Sequence, residues 1–369
     1  MSEVEIGRGK RARRAYTLDD IAVVPRRRTR DADEVSTSWQ FDAYHLDIPV
    51  LSAPMDSVSS PQTAVAIGRL GGVGVLDLEG LWTRCEDPSP QFGEIAELEG
   101  RGATRRLQEI YAAPIIPELI TARLEWIRAA GVPVAGALSP GRTQDLWKTV
   151  VDAGVDLFVI RGTTVSAEHV SGSREPLNLK RFIYELDVPV IVGGAVTYTG
   201  ALHLMRTGAA GVLAGYGGGA ASATRRTVGI AAPMATTIAD IAAARRDYLD
   251  ESGGRYVHVI ADGSVSTTGD LVKAIACGAD AVMLGTALAR AAEAPGSGWH
   301  WGQEAHHASL PRGERVRVET AGTLEEILHG PSREAAGRVN FMGALRHAMA
   351  ANGYTDIKEF QRAELVIAD

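Results

Sequence analysis

The chain alternates between short apolar runs rich in Val, Ile and Ala and longer stretches in which apolar residues recur at helical spacing. Such alternation is typical of βα units on a parallel sheet. Eight runs qualify as strands by this criterion: 48–53, 72–76, 132–138, 155–160, 188–193, 211–214, 257–261 and 281–285.

The intervening stretches predict helices, among them 144–153, 200–208 and 238–252. Several end in a glycine suited to a left-handed helix cap, directly before the next strand: Gly131, Gly154, Gly208 and Gly278. Eight strands with helical crossovers predict a (β/α)₈ TIM barrel, an α/β fold. Barrels often exceed 250 residues as one domain, so residues 1–369 are expected to form a single domain.

Two regions depart from this alternation, and both follow strands at the end of the barrel where TIM-barrel active sites lie. Residues 81–114 come after the second strand and are acidic and irregular at first. Residues 297–338 come after the eighth strand and are rich in His, Gly and Pro. Long insertions at this end are candidate lids. We call residues 297–338 the lid.

Composition and charge exclude some partners. Hydrophobic residues make up 45% and charged residues 22%, as in an ordinary globular protein. The net charge of −7 argues against a nucleic-acid or membrane-surface partner. The basic run 8–14, continued at 26–28, indicates a phosphate- or nucleic-acid-binding arm or, favoured by the charge balance, a solvated or interface segment. Two cysteines and no signal-like or membrane-spanning run predict a cytoplasmic protein without a disulfide framework.

A glycine-rich segment, residues 214–222, follows the sixth predicted strand; we call it the glycine loop. Its backbone N–H groups can converge on an anion, and its glycines can take positive φ. A second candidate is Gly285-Thr286, which precedes a helix after strand eight, a frequent phosphate site in barrels. A tight turn alone would explain one such loop, but the two together favour phosphate binding.

Two aspartates follow predicted strands, and each has two interpretations. Asp262 ends strand seven, where it would either hold a ribose diol or cap the helix beginning near Thr268. Asp56 lies past strand one, where it would either contact a ligand or cap the next helix. A metal site is one interpretation of three lid histidines and the nearby Glu304, although a mobile polar lid explains this composition better. The histidines are His300, His306 and His307.

A series of ordered motifs resembles the IMP dehydrogenase/GMP reductase family. Segment 16–25 resembles the family's opening segment, 49–58 its first strand and 71–76 its second. Further matches follow in the same order: 192–196, 215–224, 233–237, 261–263, 283–286, 293–296 and, more loosely, 343–349. The family usually carries a pair of CBS domains after strand two. Residues 81–114 are too few to hold them, so the chain most resembles the subgroup described as IMP dehydrogenase-related.

The resemblance implies a purine nucleoside 5′-monophosphate (IMP, XMP or GMP) at the barrel mouth. Asp262 would hold the ribose hydroxyls, and Met55 would lie near the base. The implied phosphate contacts are Gly193, Gly194, Gly219, Gly285 and Thr286. Two further implied nucleotide contacts are Gly217 and Gly263. Family members are usually square tetramers, so a homo-oligomer, tetramer or octamer, is expected.

The sequence departs from the family's pattern at the catalytic centre. Where the family has the cysteine thiolate that attacks purine C2, this chain has Ser222; Thr224, which resembles the reductase's activating threonine, is retained. A serine hydroxyl needs an adjacent base, and the glycine loop holds no His, Asp or Glu. Cys277 is predicted to lie at the opposite face, and Cys85 follows strand two.

The expected cofactor site also differs. Dehydrogenases carry an aspartate after strand four that contacts the nicotinamide ribose, and here that position is Arg161-Gly162. Arg161 would instead pair with a phosphate or an acidic group. The Arg-Tyr pair of the dehydrogenase flap has no counterpart at 312–315 or 340–341. NAD, NADP and potassium are therefore candidate cofactors by resemblance alone.

Three functional hypotheses follow. The first is a nucleotide-binding barrel without redox turnover, acting as a sensor or as the partner of a catalytic paralogue. The second is an oxidoreductase that interconverts purine nucleotides with NAD(P) by a route independent of cysteine, with Thr224 and the lid as its support. The third is a different enzyme on the same nucleotide site, such as a hydrolase, which would turn over nucleotide without NAD(P).

Overall fold

The apolar runs form strands in the computed structural model, which describes residues 3–100, 102–172, 175–310 and 313–368. The strands are β1 (Glu3–Gly7), β2 (Lys10–Arg13), β3 (Ile21–Val23), β4 (Trp39–Phe41), β5 (Tyr44–Leu46), β6 (Val50–Ser52), β7 (Val75–Asp77), β8 (Ala135–Leu138), β9 (Leu157–Arg161), β10 (Val190–Ala195), β11 (Gly211–Ala214), β12 (His258–Asp262), β13 (Ala281–Leu284), β14 (Trp299–His300), β15 (Val316–Arg317) and β16 (Leu365–Ile367).

Helices connect the strands. They are α1 (Pro61–Arg69), α2 (Ser89–Glu97), α3 (Ala103–Ile110), α4 (Pro117–Ala129), α5 (Pro140–Asp152), α6 (Leu179–Tyr184), α7 (Tyr198–Met205), α8 (Thr224–Val228), α9 (Met234–Glu251), α10 (Thr268–Ala276), α11 (Thr286–Ala289), α12 (Gln303–His306), α13 (Leu324–His329), α14 (Phe341–Ala351) and α15 (Ile357–Phe360). Single 3₁₀ turns lie at Ala32–Glu34 and Leu81–Thr83. None of the helices in the described ranges is both long and apolar enough to cross a bilayer.

Strands β6 to β13 form one parallel sheet that curls into a barrel. Its strands pair in chain order from β7 to β13, and β13 pairs with β6. A parallel bridge between Leu51 and Val73 completes the circuit beside β7. The predicted (β/α)₈ barrel is therefore confirmed, and each predicted run overlaps one barrel strand. Several strands begin later than the apolar runs that predicted them. The runs are longer because residues just before the strands, such as Ile48 and Val134, are also buried.

The barrel interior is filled by side chains rather than left open. Alternate strand residues such as Leu157, Ile191 and Leu213 point inward and form one apolar cluster. The β4–β5 hairpin adds to this cluster at the amino-terminal ends of the strands, where Trp39 donates a hydrogen bond to His258 (3.2 Å). Because this hairpin closes the amino-terminal end of the barrel, the open end is at the carboxyl ends of the strands.

The insertion after β7 is more regular than its sequence suggests. Residues 81–114, whose sequence is acidic and irregular at first, contain a 3₁₀ turn and the helices α2 and α3. In α3, Leu107 and Ile110 form a short apolar stripe on a helix otherwise dominated by charged and polar residues. This stripe packs against Trp301 and Ala305 of the lid. The two insertions thus form one structure over the barrel mouth.

Candidate active site

A cavity at the carboxyl ends of the strands collects nearly all the predicted site residues. Eleven of the thirteen line it: Met55, Arg161, Gly162, Gly217, Gly219, Ser222, Thr224, Asp262, Gly263, Gly285 and Thr286. The lid covers one side of the cavity with His300, Gln303 and Glu304. Pro311 and Arg312 of the lid lie outside the described residues, so the comparison of Arg312 with the dehydrogenase flap is not tested.

The glycine loop folds back against the start of α11. The Ala220 N–H donates to the Thr286 hydroxyl at 3.0 Å. A Cβ added to Gly219 would lie 2.7 Å from the same hydroxyl, and Gly217 has a φ of +62°. Glycine is therefore required for the loop to turn and to approach Thr286 this closely. The result is a concave stretch of backbone at the cavity wall, which is the kind of surface that binds small anions.

Gly193 and Gly194 lie elsewhere. They belong to β10, where the Gly194 N–H donates to the Gly162 carbonyl (3.0 Å) and the Gly162 N–H donates to the Gly193 carbonyl (2.9 Å). A Cβ on Gly193 would collide with Leu213 of the neighbouring strand. The contact of this pair with a phosphate stays a prediction, and the glycines also allow close packing of strands beneath the cavity.

Asp262 and Arg161 form an ion pair across the cavity. Arg161 Nε donates to one carboxylate oxygen of Asp262 at 2.8 Å, and Nη2 donates to the other at 3.2 Å. The Asp262 side chain is 3% exposed and that of Arg161 is 26% exposed. The helix-capping interpretation of Asp262 is wrong because Thr267 and Asp270 form the capping box of α10. Each carboxylate oxygen keeps a second lone pair, so the pair leaves room for ribose hydroxyls.

Ser222 is linked to a carboxylate that the glycine loop lacks. Its hydroxyl lies 3.4 Å from the Thr224 hydroxyl, which donates to Glu304 of the lid at 3.0 Å. Thr163 also donates to Glu304, at 3.2 Å. Since Thr224 gives its proton to Glu304, Ser222 is left to donate to Thr224. The glycine loop itself holds no acid, as its sequence shows, and α12 brings Glu304 to Thr224 from 80 residues away, although it does not contact Ser222 directly.

His300 joins the glycine loop to the lid. Ser57 donates to the Trp301 carbonyl (2.9 Å), which leaves its oxygen to accept from His300 Nδ1 (2.9 Å). His300 Nε2 then accepts from Thr286 at 3.3 Å, an assignment that follows from the hydrogen-bond network. Burial lowers the pKa of His300 to about 4, so the ring is neutral. Thr286 therefore uses its hydroxyl to support the loop.

The histidines do not form a metal site. His306 stacks on Tyr111, with ring centroids 3.5 Å apart and planes 3° from parallel, and burial lowers its pKa to about 3. Across the described ranges, no group of three or more His, Cys, Asp or Glu side chains is arranged to hold a metal ion. Cys277 ends α10, and neither it nor Cys85 lines the cavity.

Asp56 anchors the insertion that carries Tyr111. Its carboxylate accepts the Leu81 N–H at 2.8 Å and the Tyr111 hydroxyl at 2.7 Å. Tyr111 in turn accepts the Trp301 indole N–H at 2.9 Å, so the network reaches the lid. Both interpretations of Asp56 from sequence are therefore corrected, since the residue is absent from the cavity wall and Ser60 caps α1.

Replacing Asp56 by asparagine should change how stability depends on pH. Burial, partly offset by hydrogen bonds from Leu81 and Tyr111, raises the pKa of Asp56 to about 6. The folded chain then holds this proton more tightly than the unfolded chain, so the carboxyl's contribution to stability falls as pH rises from about 4 to about 6. The free energy of unfolding of the wild type relative to Asp56→Asn should fall by up to ~3 kcal/mol over that range.

Urea denaturation at pH 4.5, 5.5 and 7 measures this difference. Asp33→Asn, at an exposed position, is the control and should follow the wild type. A constant difference between wild type and Asp56→Asn across the range would show that Asp56 does not retain its proton in the folded state.

Fold and site together define the chain as a TIM barrel whose glycine loop and lid enclose a cavity at its carboxyl-terminal mouth. Residues 15–308 match the model of the IMP dehydrogenase/GMP reductase domain. The chain belongs to this family, as its ordered motifs predicted.

Three similar proteins support the assignment of the chain to this family. An uncharacterized oxidoreductase of Mycolicibacterium smegmatis is 53% identical, with 99% of each chain covered. The inosine-5′-monophosphate dehydrogenase of Methanocaldococcus jannaschii is 26% identical, with 77% of this chain and 74% of that protein covered. The crystal structure of an IMP dehydrogenase/GMP reductase-like protein from Corynebacterium glutamicum is 49% identical and superposes with a TM-score of 0.94, covering 99% of this chain and 98% of that one.

Proposed function

We propose that the protein binds a purine nucleoside 5′-monophosphate at the barrel mouth and lacks the thiolate chemistry of its family. The observation that carries this proposal is the shared cavity of Gly219, Asp262 and Ser222. Gly219 belongs to the anion-binding loop, Asp262 offers lone pairs to a ribose diol, and Ser222 occupies the position of the family's nucleophile. The phosphate, ribose and base of one nucleotide would thus each meet a suitable group.

A nicotinamide cofactor does not fit this wall of the cavity well. At the position of the family's ribose-binding aspartate, Arg161 presents a guanidinium already engaged with Asp262. Potassium is supported by the family resemblance alone: the Gly219 carbonyl accepts the Ser222 N–H and the Ala221 carbonyl accepts the Glu314 N–H, and each oxygen keeps one lone pair. We therefore derive no hydride step and no potassium-dependent step.

The alternative function is NAD(P)-dependent interconversion of purine nucleotides without a cysteine. One observation favours it: the hydrogen-bonded chain from Ser222 through Thr224 to Glu304 offers a route by which a carboxylate could take a proton from the serine. This alternative requires NAD(P) to bind despite Arg161. The proposal includes two further elements under either function. One is a catalytic paralogue as partner, and the other is assembly into a tetramer or octamer.

Glu304 also gives the proposed site a preference among bases. Through Thr224 it is linked to Ser222, and both line the cavity in which C2 of the bound purine would lie. A carboxylate only accepts hydrogen bonds, so it favours a base with more N–H donors near it. GMP and IMP both carry N1–H, but GMP adds a 2-amino donor where IMP has only C–H. Since a hydrogen bond to a charged group contributes about 1.5–3 kcal/mol, GMP should bind about 10- to 100-fold more tightly than IMP.

Calorimetric titration of wild type and Glu304→Gln with GMP, IMP and XMP tests the proposal. We expect binding of all three by the wild type, with GMP tightest, and loss of most of this preference in Glu304→Gln. Glu314→Gln, an exposed lid position, is the control and should keep the preference. Equal affinities in the wild type would refute the role of Glu304, and no binding of any nucleotide would refute the proposed function.

A further inference from the structure

The basic run at the amino terminus forms a hairpin that stands clear of the barrel. Strands β1 and β2 pair antiparallel, and residues 3–14 are all exposed. Glu3 lies opposite Arg13 and Glu5 opposite Arg11, which places these charges on one face. The other face carries Val4, which is 47% exposed, opposite Ala12; Ile6, which is 66% exposed, lies at a register irregularity between Glu5 and Gly7.

A hairpin of this kind needs more support than its own chain gives it. Isolated two-stranded hairpins are marginally stable in water, and this one leaves both outer edges unpaired. Within the described ranges, Arg13 of the hairpin forms an ion pair with Asp240 on α9, at 2.6 Å. Beyond it, Tyr16 and Thr236 exchange backbone and side-chain hydrogen bonds and fix where the hairpin leaves the barrel.

More apolar surface is exposed in the segment that leads into α9. Val228 is 44% exposed and Ile230 is 43% exposed, a few residues before the helix that holds Arg13 and Tyr16. Single exposed apolar residues are ordinary, but these two come just before the helix that holds the base of the hairpin.

Charge indicates what covers this surface. Residues 1–14 contain five basic and two acidic side chains, which is a net charge of +3. Because the whole chain carries −7, the remaining residues carry −10. A second copy of the same chain therefore offers an acidic body to a basic hairpin. Two hairpins placed together would instead bring like charges into contact, which is unfavourable.

We propose that the hairpin is an arm that packs on the body of a neighbouring copy of this chain, through its apolar face and its arginines. Such a contact joins two different surfaces. Head-to-tail contacts of this type close into rings when the rotation allows it, whereas a hairpin-to-hairpin contact would stop at a dimer. The proposal is independent of nucleotide binding and names the surface that makes the oligomer.

Light scattering coupled to size-exclusion chromatography tests the arm. The samples are the wild type, a chain lacking residues 2–14, the double variant Val4→Asp/Ile6→Asp, and Arg105→Glu as a control at a side chain 86% exposed on α3. The wild type and the control should elute at the same multiple of the 39.1 kDa chain mass. The truncated chain and the double variant should elute at the mass of one chain or of a smaller assembly.

Far-ultraviolet circular dichroism should show the same barrel in all four samples, because residues 3–14 and Arg105 are exposed. An unchanged oligomer in both hairpin variants would overturn the proposal, and so would a monomeric wild type. Dissociation of the double variant would implicate the apolar face itself, whereas dissociation of the truncated chain alone would assign the contact to the arginines.

Discussion

Exchange of Ser222 for cysteine is expected to convert an unreactive cavity into one that a 2-chloropurine nucleoside 5′-monophosphate labels covalently. In this reaction the thiolate sulfur bonds to C2 and chloride leaves with the bonding electrons, while the thiol proton passes to solvent. An ordinary thiol is about 10% ionised near pH 7.5, whereas a serine hydroxyl is essentially un-ionised, so we expect Ser222→Cys to react at least about a hundredfold faster than the wild type.

Intact-mass spectrometry after a timed incubation measures the labelling. The two native cysteines are internal controls, because burial raises the pKa of both thiols, that of Cys277 to about 12, and neither lines the cavity. Excess GMP should protect the cysteine variant from labelling. Rapid modification of the wild type at Ser222 would contradict our account, since it would mean that Thr224 and Glu304 activate the serine.

Replacing Gly219 by valine is expected to abolish nucleotide binding. The Cβ of any residue here would lie 2.7 Å from the Thr286 hydroxyl, so the valine methyl groups must occupy the concave side of the glycine loop. Loss of two backbone hydrogen bonds to a phosphate, at about 1.5–3 kcal/mol each, corresponds to a loss of affinity of at least ~100-fold.

Calorimetry with GMP on Gly219→Val, with Gly93→Val as the matched control, measures the effect. A Cβ on Gly93 of α2 meets nothing within 4 Å, so this variant should bind as the wild type does. If Gly219→Val kept the affinity of the wild type, the glycine loop would not be the phosphate site.

The fold could be predicted because its signals are local in the sequence. A parallel barrel strand is buried on both faces and therefore reads as a continuous apolar run, such as Val190–Ala195. The position of the glycine loop after β11 then assigned it to the mouth, since strand ends of a TIM barrel share one face.

The site's hydrogen-bonding partners could not be predicted, because they join distant segments. Glu304 is 80 residues from Thr224, and Arg161 is 101 residues from Asp262. Glycine identity left the role of Gly193 open, because a glycine signals close approach without saying whether a ligand or a neighbouring strand approaches. The charge of Arg161 did indicate an acidic partner, and Asp262 supplies it.

Titration of the wild-type protein with GMP and, separately, with guanosine tests the central claim most directly. Our account predicts one site per chain for GMP and much weaker binding of guanosine, because the glycine loop contributes only when the 5′-phosphate is present. Equal affinity for the two ligands, or no heat of binding with GMP, would contradict it and would show that the cavity at the barrel mouth is not a nucleoside monophosphate site.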